Sequence, residues 1–520
     1  MTALLPTTRT ATPAPERAGV RAWLALAVLF LPTLLVAIDN TVLGFALPAI
    51  SRALRPEATT LLWIVDAYPL VLAGLLVTMG TLGDRIGRRR LLIVGLVGFG
   101  GVSALAAFAT DGGHLVAARA ALGFFGAMLM PSVLAILRTV FVDRTQRRFA
   151  LAVWATAFAA GAALGPIVGG LLLQHFWWGS VFLVNVPVVL VVLVAVPLLL
   201  PESRVSAPGR LDLVGVALSL LAAVPGVLAI KLVGEHGFTV GVVVAATVAV
   251  AAGALFVRRC RDRAASGRQP LIDLSLFATP VVRVSVLANA TTMFAFTGLL
   301  FFSAQYLQLV LGRSPLQAGL VLVPGMAATI VAGLGAAALA RRFPLRVLVP
   351  TGLLVAAAGY LLCTRLGVGS AETLLLVATV LIGAGIGLSE TITNDAILAA
   401  APADRAGAAS AVSETAYELG AVLGTAVLGS VLSAVYRAAV VVPAEAAPGV
   451  ALGSAARDTA AQTLGGAVDV AGGLPGPVGD ALLGSAREAF ALGVDVTAGV
   501  GTAALLLVAL TVVRGLGARS

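Results

Sequence analysis

The chain is predicted to be an all-α integral membrane protein with fourteen transmembrane helices, two bundles of six with two extra helices between them. Composition is the first reason. Of 520 residues, 59% are hydrophobic and only 11% charged, more apolar surface than a soluble domain can bury, so lipid must be the solvent. The second reason is the recurrence of apolar runs of roughly 20 residues, the length that crosses a bilayer. They lie near 23–48, 60–80, 91–110, 114–136, 149–173, 181–200, 211–231, 238–257, 281–311, 316–339, 346–366, 371–400, 408–436 and 490–513. An internal repeat is the third.

The repeat is visible in two places. GAVLGTAVLG, Gly420 to Gly429, matches GAALGPIVGG, Gly161 to Gly170, at six of ten positions with an offset of 259. GDRIGRRRLLI, Gly83 to Ile93, is echoed by LARRFPLRVLV, Leu339 to Val349, with an offset of 256. Two echoes at nearly one offset predict two parallel halves, an arrangement that places a substrate site near the bilayer midplane between them. The expected organisation is a disordered tail over 1–20, a first bundle over 21–201, two extra helices with basic flanks over 202–268, a second bundle over 269–513 and a tail over 514–520. Within the second bundle, residues 437–487 read either as a disordered loop or as a helical hairpin folded on the outer face, broken by Gly472, Gly473, Pro475, Gly476 and Pro477.

The net charge of +10 reports topology and not a nucleic-acid partner. With a cytoplasmic N-terminus, 25 of the 34 Lys and Arg residues fall on the cytoplasmic side, eight fall outside, and one, Arg119, lies inside a span. This positive-inside bias predicts a multi-pass protein of the cytoplasmic membrane with both termini cytoplasmic. Cys260 and Cys363 give no disulfide framework, and the first apolar stretch is too long for a signal-peptide core. The three histidines, His114, His175 and His236, all fall near outer span ends. No Cys/His cluster, phosphate loop or nucleophile elbow is present, so no enzyme, cofactor or metal is expected.

Six motifs in the first 190 residues resemble one family. GTLGDRIGRRR (Gly80 to Arg90) is similar to the cytoplasmic loop signature of the major facilitator superfamily, LVAARAALGFFGA (Leu115 to Ala127) to its fourth-span motif, and GAALGPIVGG to its fifth-span antiporter motif. AIDNTVLGFALPAI (Ala37 to Ile50), LLWIVDAYPLVLAG (Leu61 to Gly74) and WWGSVFLVNVPV (Trp177 to Val188) resemble the fourteen-span drug:proton antiporters, in particular the quaternary ammonium exporters. The resemblance implies a major-facilitator-type fold and proton-coupled export of lipophilic cationic drugs across the cytoplasmic membrane by alternating access. It implies no cofactor beyond the proton gradient, and a monomer whose partners are drug, protons and membrane lipid. An exporter of one metabolite, such as a self-made antibiotic or an amino acid, is the alternative.

The motifs suggest roles. Gly83 and Gly87 let helix ends approach, and Asp84 is placed to accept from a helix N-terminus or an arginine, so that with Arg85 and Arg88 it forms a latch for the cytoplasmic face. Plain anchoring by Arg88 to Arg90 is the simpler alternative. Gly161, Gly165 and Gly169 form a small-residue stripe, with Gly170 beside it, that permits close helix contact. Pro166 removes one backbone hydrogen bond and lets the helix bend. The stripe is expected to serve a seam on which one half rocks against the other, or else static packing.

Intramembrane charges supply the candidate chemistry. Arg119 needs a carboxylate partner, because a lone arginine in lipid costs about 2.5–3.5 kcal/mol on insertion scales. Asp39 is the first choice and Asp66 the second, both at similar depth. In the exporters that the sequence resembles, the aspartate matching Asp39 takes part in proton coupling; a purely structural ion pair is the alternative. Glu414 and Glu418 in SETAYELG lie one turn apart on one face, and Glu390 lies at a similar depth, with Asn394 and the more interfacial Asp395 towards the cytoplasm. These acids cannot face lipid, so they are expected to line a wet cavity, Asp66, Glu390, Glu414 and Glu418 binding substrate and Asp39 with Arg119 handling protons. Trp23, Trp63, Trp177 and Trp178 read as an interfacial belt. Trp154, Phe294, Phe296, Phe301, Phe302 and Tyr306 read as packing residues or as π-faces for a lipophilic cation.

Overall fold

Each apolar run becomes a helix because hydrocarbon offers the backbone no hydrogen-bond partner, so N–H and C=O groups must pair along the helix. A computed structural model describes residues 18–141, 143–204, 212–268, 270–400, 406–447 and 450–517; of the tails expected at 1–20 and 514–520, residues 1–17 and 518–520 lie outside them, while the first helix starts at Val20 and the last runs to Gly517. The first half contains α1 (Val20–Leu54), α2 (Ala58–Ile86), α3 (Arg88–Ala106), α4 (Gly112–Val140), α5 (Arg144–His175), the short α6 (Ser180–Leu183) and α7 (Asn185–Leu199). Two further helices follow, α8 (Leu213–His236) and α9 (Val240–Ala265). The second half contains α10 (Pro280–Gln305), α11 (Pro315–Leu339), α12 (Leu345–Cys363), α13 (Glu372–Ala400), α14 (Ala406–Gly424) and α15 (Ser430–Ala439). A two-stranded ribbon follows, β1 (Glu445–Ala447) with β2 (Val450–Ala451), then α16 (Ser454–Gln462), α17 (Leu464–Gly472) and α18 (Gly476–Gly517).

Thirteen helical stretches among the described residues are long and apolar enough to cross a membrane. The 32-residue α5 is of spanning length too. Local chemistry fixes where they start. Asp111 accepts from the His114 amide at the head of α4, and Asp212 from the Gly215 amide at the head of α8. Ser314 and Gln317 form a reciprocal capping box on α11. Between α2 and α3 the chain turns on Gly87, at φ +109°, where a Cβ would stand 2.6 Å from a Glu202 carboxylate oxygen.

The halves repeat one packing scheme. In the first, α1 lies on α5, α2 on α4, and α3 on α4 and α7; in the second, α10 lies on α14, α11 on α13, and α12 on α13 and α18. Each half is built on an apolar core, and that of the second half also takes in Phe45, Leu47, Leu61 and Leu62 of the first. Helices α8 and α9 pack on each other and are the least buried of the spans. One end of the bundle carries the 437–487 segment and is called the loop end; the other carries Asp84 to Arg90 and is called the basic end.

Several expectations need refining here. The described residues of the 437–487 segment are folded, as α16, α17 and the ribbon, and chain breaks do fall at Gly473 and Pro475. Its second arm, however, is no separate helix. The last span begins at Gly476, not near 490, and runs 42 residues through both arm and membrane. The spans near 281–311 and 408–436 are not uniform α-helices: each contains a π-helical turn, at Tyr306–Val310 and Thr425–Gly429. The seam glycines also split between two jobs. Cβ atoms at Gly161, Gly165 and Gly169 would strike Leu34, Ala37, Thr41 and Val42 of α1, so the stripe packs within the first half. Contact between halves is made by its neighbours, Gly170 against Pro315 and Leu316, and the Pro166 carbonyl against Gly319. The repeat behaves alike, with Gly420 and Gly424 pressed on the α10 backbone at Ala290 and Phe294.

Candidate functional site

The halves meet towards the loop end. Besides the α5–α11 contact, Gly429 abuts Leu62, Gln308 donates to the Phe45 carbonyl at 3.2 Å, and Leu70 packs with Val422 and Ala426. Segment α17 adds a strap on the first half: Thr463 Oγ1 lies 3.0 Å from Ser51 Oγ, and Asp469 pairs with Arg55 at 2.7 Å.

Below that seal lies a row of polar side chains that runs from one half into the other. Arg119 on α4 is buried, and its Nη1 reaches Asp39 Oδ2 on α1 at 2.6 Å. Its Nε donates to the Ile64 carbonyl at 3.1 Å, and its guanidinium sits 4.6 Å from the centre of the Tyr68 ring. Asn185 Nδ2 donates to the other Asp39 oxygen at 3.2 Å and to Ser103 Oγ at 3.2 Å. Five helices thus hold one carboxylate. Tyr68, on α2, lies within electrostatic reach of both Asp39 and Glu418, and its hydroxyl has no hydrogen-bond partner among the described residues. The first-choice partner for Arg119 is the observed one.

Across the interface, Glu418 is buried on α14 while Glu414, one turn earlier, is exposed even though it lies inside a span. Glu390 on α13 is half-buried and close enough to Glu414 for their charges to interact, and Tyr417 lies within electrostatic reach of all three glutamates. None of the three carboxylates has a basic partner within 4.0 Å among the described residues, where each intramembrane acid of the first half is paired. Towards the basic end, Asn289 Nδ2 donates to Asn394 Oδ1 at 3.2 Å and to Ser413 Oγ at 3.0 Å, tying α10, α13 and α14 together. Asp395 is exposed. The Ala155 and Ala159 side chains, which answer to the two α14 glutamates in the repeat, lie outside the described residues.

Asp66 belongs elsewhere. It is fully buried on α2 and pairs at 2.8 Å with Lys231 of α8, itself fully buried, whose ammonium lies 3.8 Å from the centre of the Trp63 ring. Arg119 is therefore not the one basic residue deep in a span. Lys231 sits five residues before the end of α8 and reads in the sequence as an outer flank, but the helix packs it inward. Trp63 correspondingly meets a cation instead of serving only as an interfacial anchor. Of the other aromatics, Phe302 stacks edge-on against Tyr360, the Tyr306 hydroxyl donates to the Gly367 carbonyl at 2.8 Å, and the Phe294 backbone backs Gly424, so α10 uses these in packing.

At the basic end, Asp84 accepts two hydrogen bonds from Arg88, at 2.8 and 3.0 Å, and Arg88 reaches the Ala135 carbonyl of α4. Gly83 lies against Leu91, and Arg85 has a partner of its own. Glu202 organises the rest, a residue the motif reading missed. It accepts from the Arg89 amide at 3.1 Å, next to the Arg89 and Arg90 side chains, at the N-terminus of α3 where the helix dipole favours a carboxylate.

No group of three or more His, Cys, Asp or Glu side chains suited to a metal occurs among the described residues. What the geometry offers is a membrane-embedded set of carboxylates, paired in one half and open in the other, at an interface sealed at one end. Known proteins resemble the chain in sequence and fold. The chain is 50% identical over 508 residues to the multidrug efflux pump LfrA of Mycolicibacterium smegmatis, covering 98% of each. It is 37% identical to the methyl viologen resistance protein SmvA of Salmonella typhimurium, over 90% of this chain and 93% of that one. With the tetracenomycin C resistance and export protein of Streptomyces glaucescens the identity is 34%, over 81% and 78%. Among solved structures, a bacterial homologue of the human lysosomal transporter Spinster, inward-facing and unoccupied, matches with a TM-score of 0.64 at 16% identity, covering 96% of this chain and 99% of that one. The Major Facilitator Superfamily pattern itself matches residues 29–425, and with these relatives it makes the chain a member of that superfamily, a multi-pass membrane transporter and not an enzyme.

Proposed function

We infer that the protein is a proton-coupled antiporter that exports lipophilic cationic drugs across the cytoplasmic membrane by alternating access. The observation that carries this reading is the contrast between the halves. Asp39 is held by Arg119 and Asn185, whereas Glu390, Glu414 and Glu418 stand together with no basic partner among the described residues. An uncompensated group of carboxylates inside a membrane is costly unless it serves a cation or a proton. The likeness to LfrA and SmvA supports drugs as the cargo.

By the charge rule the basic end is cytoplasmic and the loop end extracytoplasmic, with both termini inside. The sealed end is then the outer one, and the glutamates are reached from the cytoplasm. A cation from the cytoplasm or inner leaflet meets Glu414 first, because that side chain is exposed, and Glu418 deeper, next to Tyr68. Parting the outer seam turns the same carboxylates towards outside protons, which displace the cation. Tyr68 lies in the field of both the Asp39–Arg119 pair and Glu418, so a proton on Asp39 alters the field at the substrate carboxylates. The Asp84–Arg88 cluster latches the cytoplasmic face in the outward-open state, and the protein acts as a monomer.

The deciding experiment is reconstitution in vesicles with an imposed pH gradient and a panel of cationic and neutral dyes. Proton movement on adding cationic dyes supports the reading; proton-independent transport, or transport of neutral dyes alone, refutes it. Similarity to a tetracenomycin C export protein favours one alternative, export of a single antibiotic, which would appear in the same panel as response to one compound only.

A further inference from the structure

The two extra helices bring one charge into the bundle, and its surroundings have the chemistry of a ligand site. Lys231 lies with its ammonium 2.8 Å from Asp66 and 3.8 Å from the centre of the Trp63 ring, both on α2 and one turn apart. A carboxylate beside an indole face is what recognises an organic cation: the acid supplies charge and the ring supplies a quadrupole and apolar area. Apart from the ion contact itself and the neighbouring Thr425 hydroxyl, neither Asp66 oxygen nor the Lys231 nitrogen has a hydrogen-bond partner among the described residues. An ammonium with three donors is poorly served there. A cation that needs no hydrogen bonds would be served well.

The location matters as much as the chemistry. Asp66 lies where α2 of the first half, the π turn Thr425–Gly429 of the second and α8 converge, beside Leu70, Val227, Val422 and Ala426. Helix α8 spans that seam. It touches α2 through Leu220 at Gly74 and through Glu235, which accepts from Thr59. It touches α15 through Gly234, packed on Ser430, and its carbonyl accepts from Arg437. A π turn in a transmembrane helix commonly marks a functional position.

We propose that Trp63 and Asp66 form a second organic-cation subsite at the outer seam, and that Lys231 is a tethered cation which fills it while the seam is closed. Lys231 is then a specificity-determining residue: cargo released at the outer face competes with the protein's own ammonium, which expels it and blocks its return. The proposal rests on the cation-export reading for the nature of the cargo, but it makes its own claim about occupancy.

The test is equilibrium binding of tetraphenylphosphonium to the purified full-length protein, with thermal unfolding measured in parallel. Lys231→Met is expected to tighten binding about tenfold or add a second site. The gain should disappear in Lys231→Met/Asp66→Asn and shrink in Lys231→Met/Trp63→Leu. Lys231→Gln carries the same test if the methionine variant does not fold. Binding by the folded lysine variants at the wild-type affinity and stoichiometry overturns the proposal, as does a gain that survives Asp66→Asn. If wild type binds no cation while Lys231→Met does so through Asp66, the export reading fails and the subsite stands. If none of the variants binds, both fail.

Discussion

Neutralising Asp39 alone, and then together with Arg119, separates a structural ion pair from a proton-handling one. The pair is buried at 2.6 Å, with 1% and 2% of the side chains exposed. Removing one charge from a buried pair typically costs about 3–5 kcal/mol, because the other charge is left uncompensated. Here the loss in Asp39→Asn should lie near the lower end, about 3 kcal/mol. Arg119 keeps the Ile64 carbonyl and the Tyr68 ring, and an asparagine oxygen still accepts from Asn185. Arg119→Gln should lose a similar amount, by stranding the carboxylate. The double variant Asp39→Asn/Arg119→Gln removes both charges with little change of volume and should recover all but ~1 kcal/mol. Thermal unfolding of the purified proteins reads these differences. Ethidium efflux from vesicles with an imposed pH gradient reads the function. If Asp39 exchanges the coupled proton, the double variant is stable yet shows no gradient-driven efflux. Recovery of efflux along with stability would refute the reasoning and leave the pair as scaffolding alone.

Four further outcomes follow from the geometry. Glu414→Gln and Glu418→Gln should weaken export of divalent organic cations more than monovalent ones, since each removes one of the neighbouring charges; equal losses in side-by-side efflux assays would count against charge reading. Gly170→Val should wedge α5 from α11, because even a Cβ there stands 2.7 Å from the Leu316 Cα and the Pro315 oxygen. The outward-open population should rise, measured as faster reaction of a cysteine placed at buried Thr425 with an impermeant maleimide added outside. Gly87→Ala should cost about 1–3 kcal/mol through its positive φ alone, plus the clash with Glu202, and adding Glu202→Ala should relieve only the clash, as unfolding midpoints would reveal. Finally, burial disfavours a charged Asp212, but the Arg259 hydrogen bond, the Gly215 amide and the charges of Arg263 and Arg259 together hold its carboxyl below the ordinary value of 3.8. A depressed value means the stabilisation is present above that value and is lost as pH falls through the lower folded one. Asp212→Asn should thus lower the unfolding midpoint at pH 7 and narrow the gap from wild type in strong acid.

What the sequence disclosed was what lipid imposes. Spans are long, apolar and separated by short polar turns, so their number, the repeat and the Arg119 partner could be read from composition, offset and depth. Lys231 escaped because it stands near the end of an apolar run, where position along the chain does not distinguish a flank from an inward face; only the docking of α8 on α2 decides it. Tyr68, Asn185 and Asn289 escaped for another reason. Uncharged polar residues are tolerated in spans, so nothing in a one-dimensional reading sets apart those that brace a buried ion pair or tie helices together. The glycine stripe was legible as a contact surface, but its partner was not, since α1 and α11 lie on adjoining faces of α5. Residues 437–487 had the breaks of a hairpin, yet the sequence does not show that the helix after Pro475 continues unbroken into the last span.

The repeat explains why the two halves can divide the chemistry. The α5–α11 and α2–α14 contacts are equivalents, each joining the fifth span of one half to the second span of the other, yet they are built differently. At α5–α11 the closure is backbone against small residues, Gly170 on Pro315 and Leu316, and Gly319 on the Pro166 carbonyl. At α2–α14 it is chemical: Asp66, Tyr68 and Glu418 line it, α14 continues into a π turn, and α8 lies across it with Lys231. Glycine contacts store no charge and part without leaving an unpaired group, so the first seam can open and close at little cost in electrostatic energy. Parting the second uncovers Glu418 and the flank of the Asp66–Lys231 pair, where a proton or a cation can be taken up. On the proton-coupled reading, coupling of movement to cargo would belong at α2–α14.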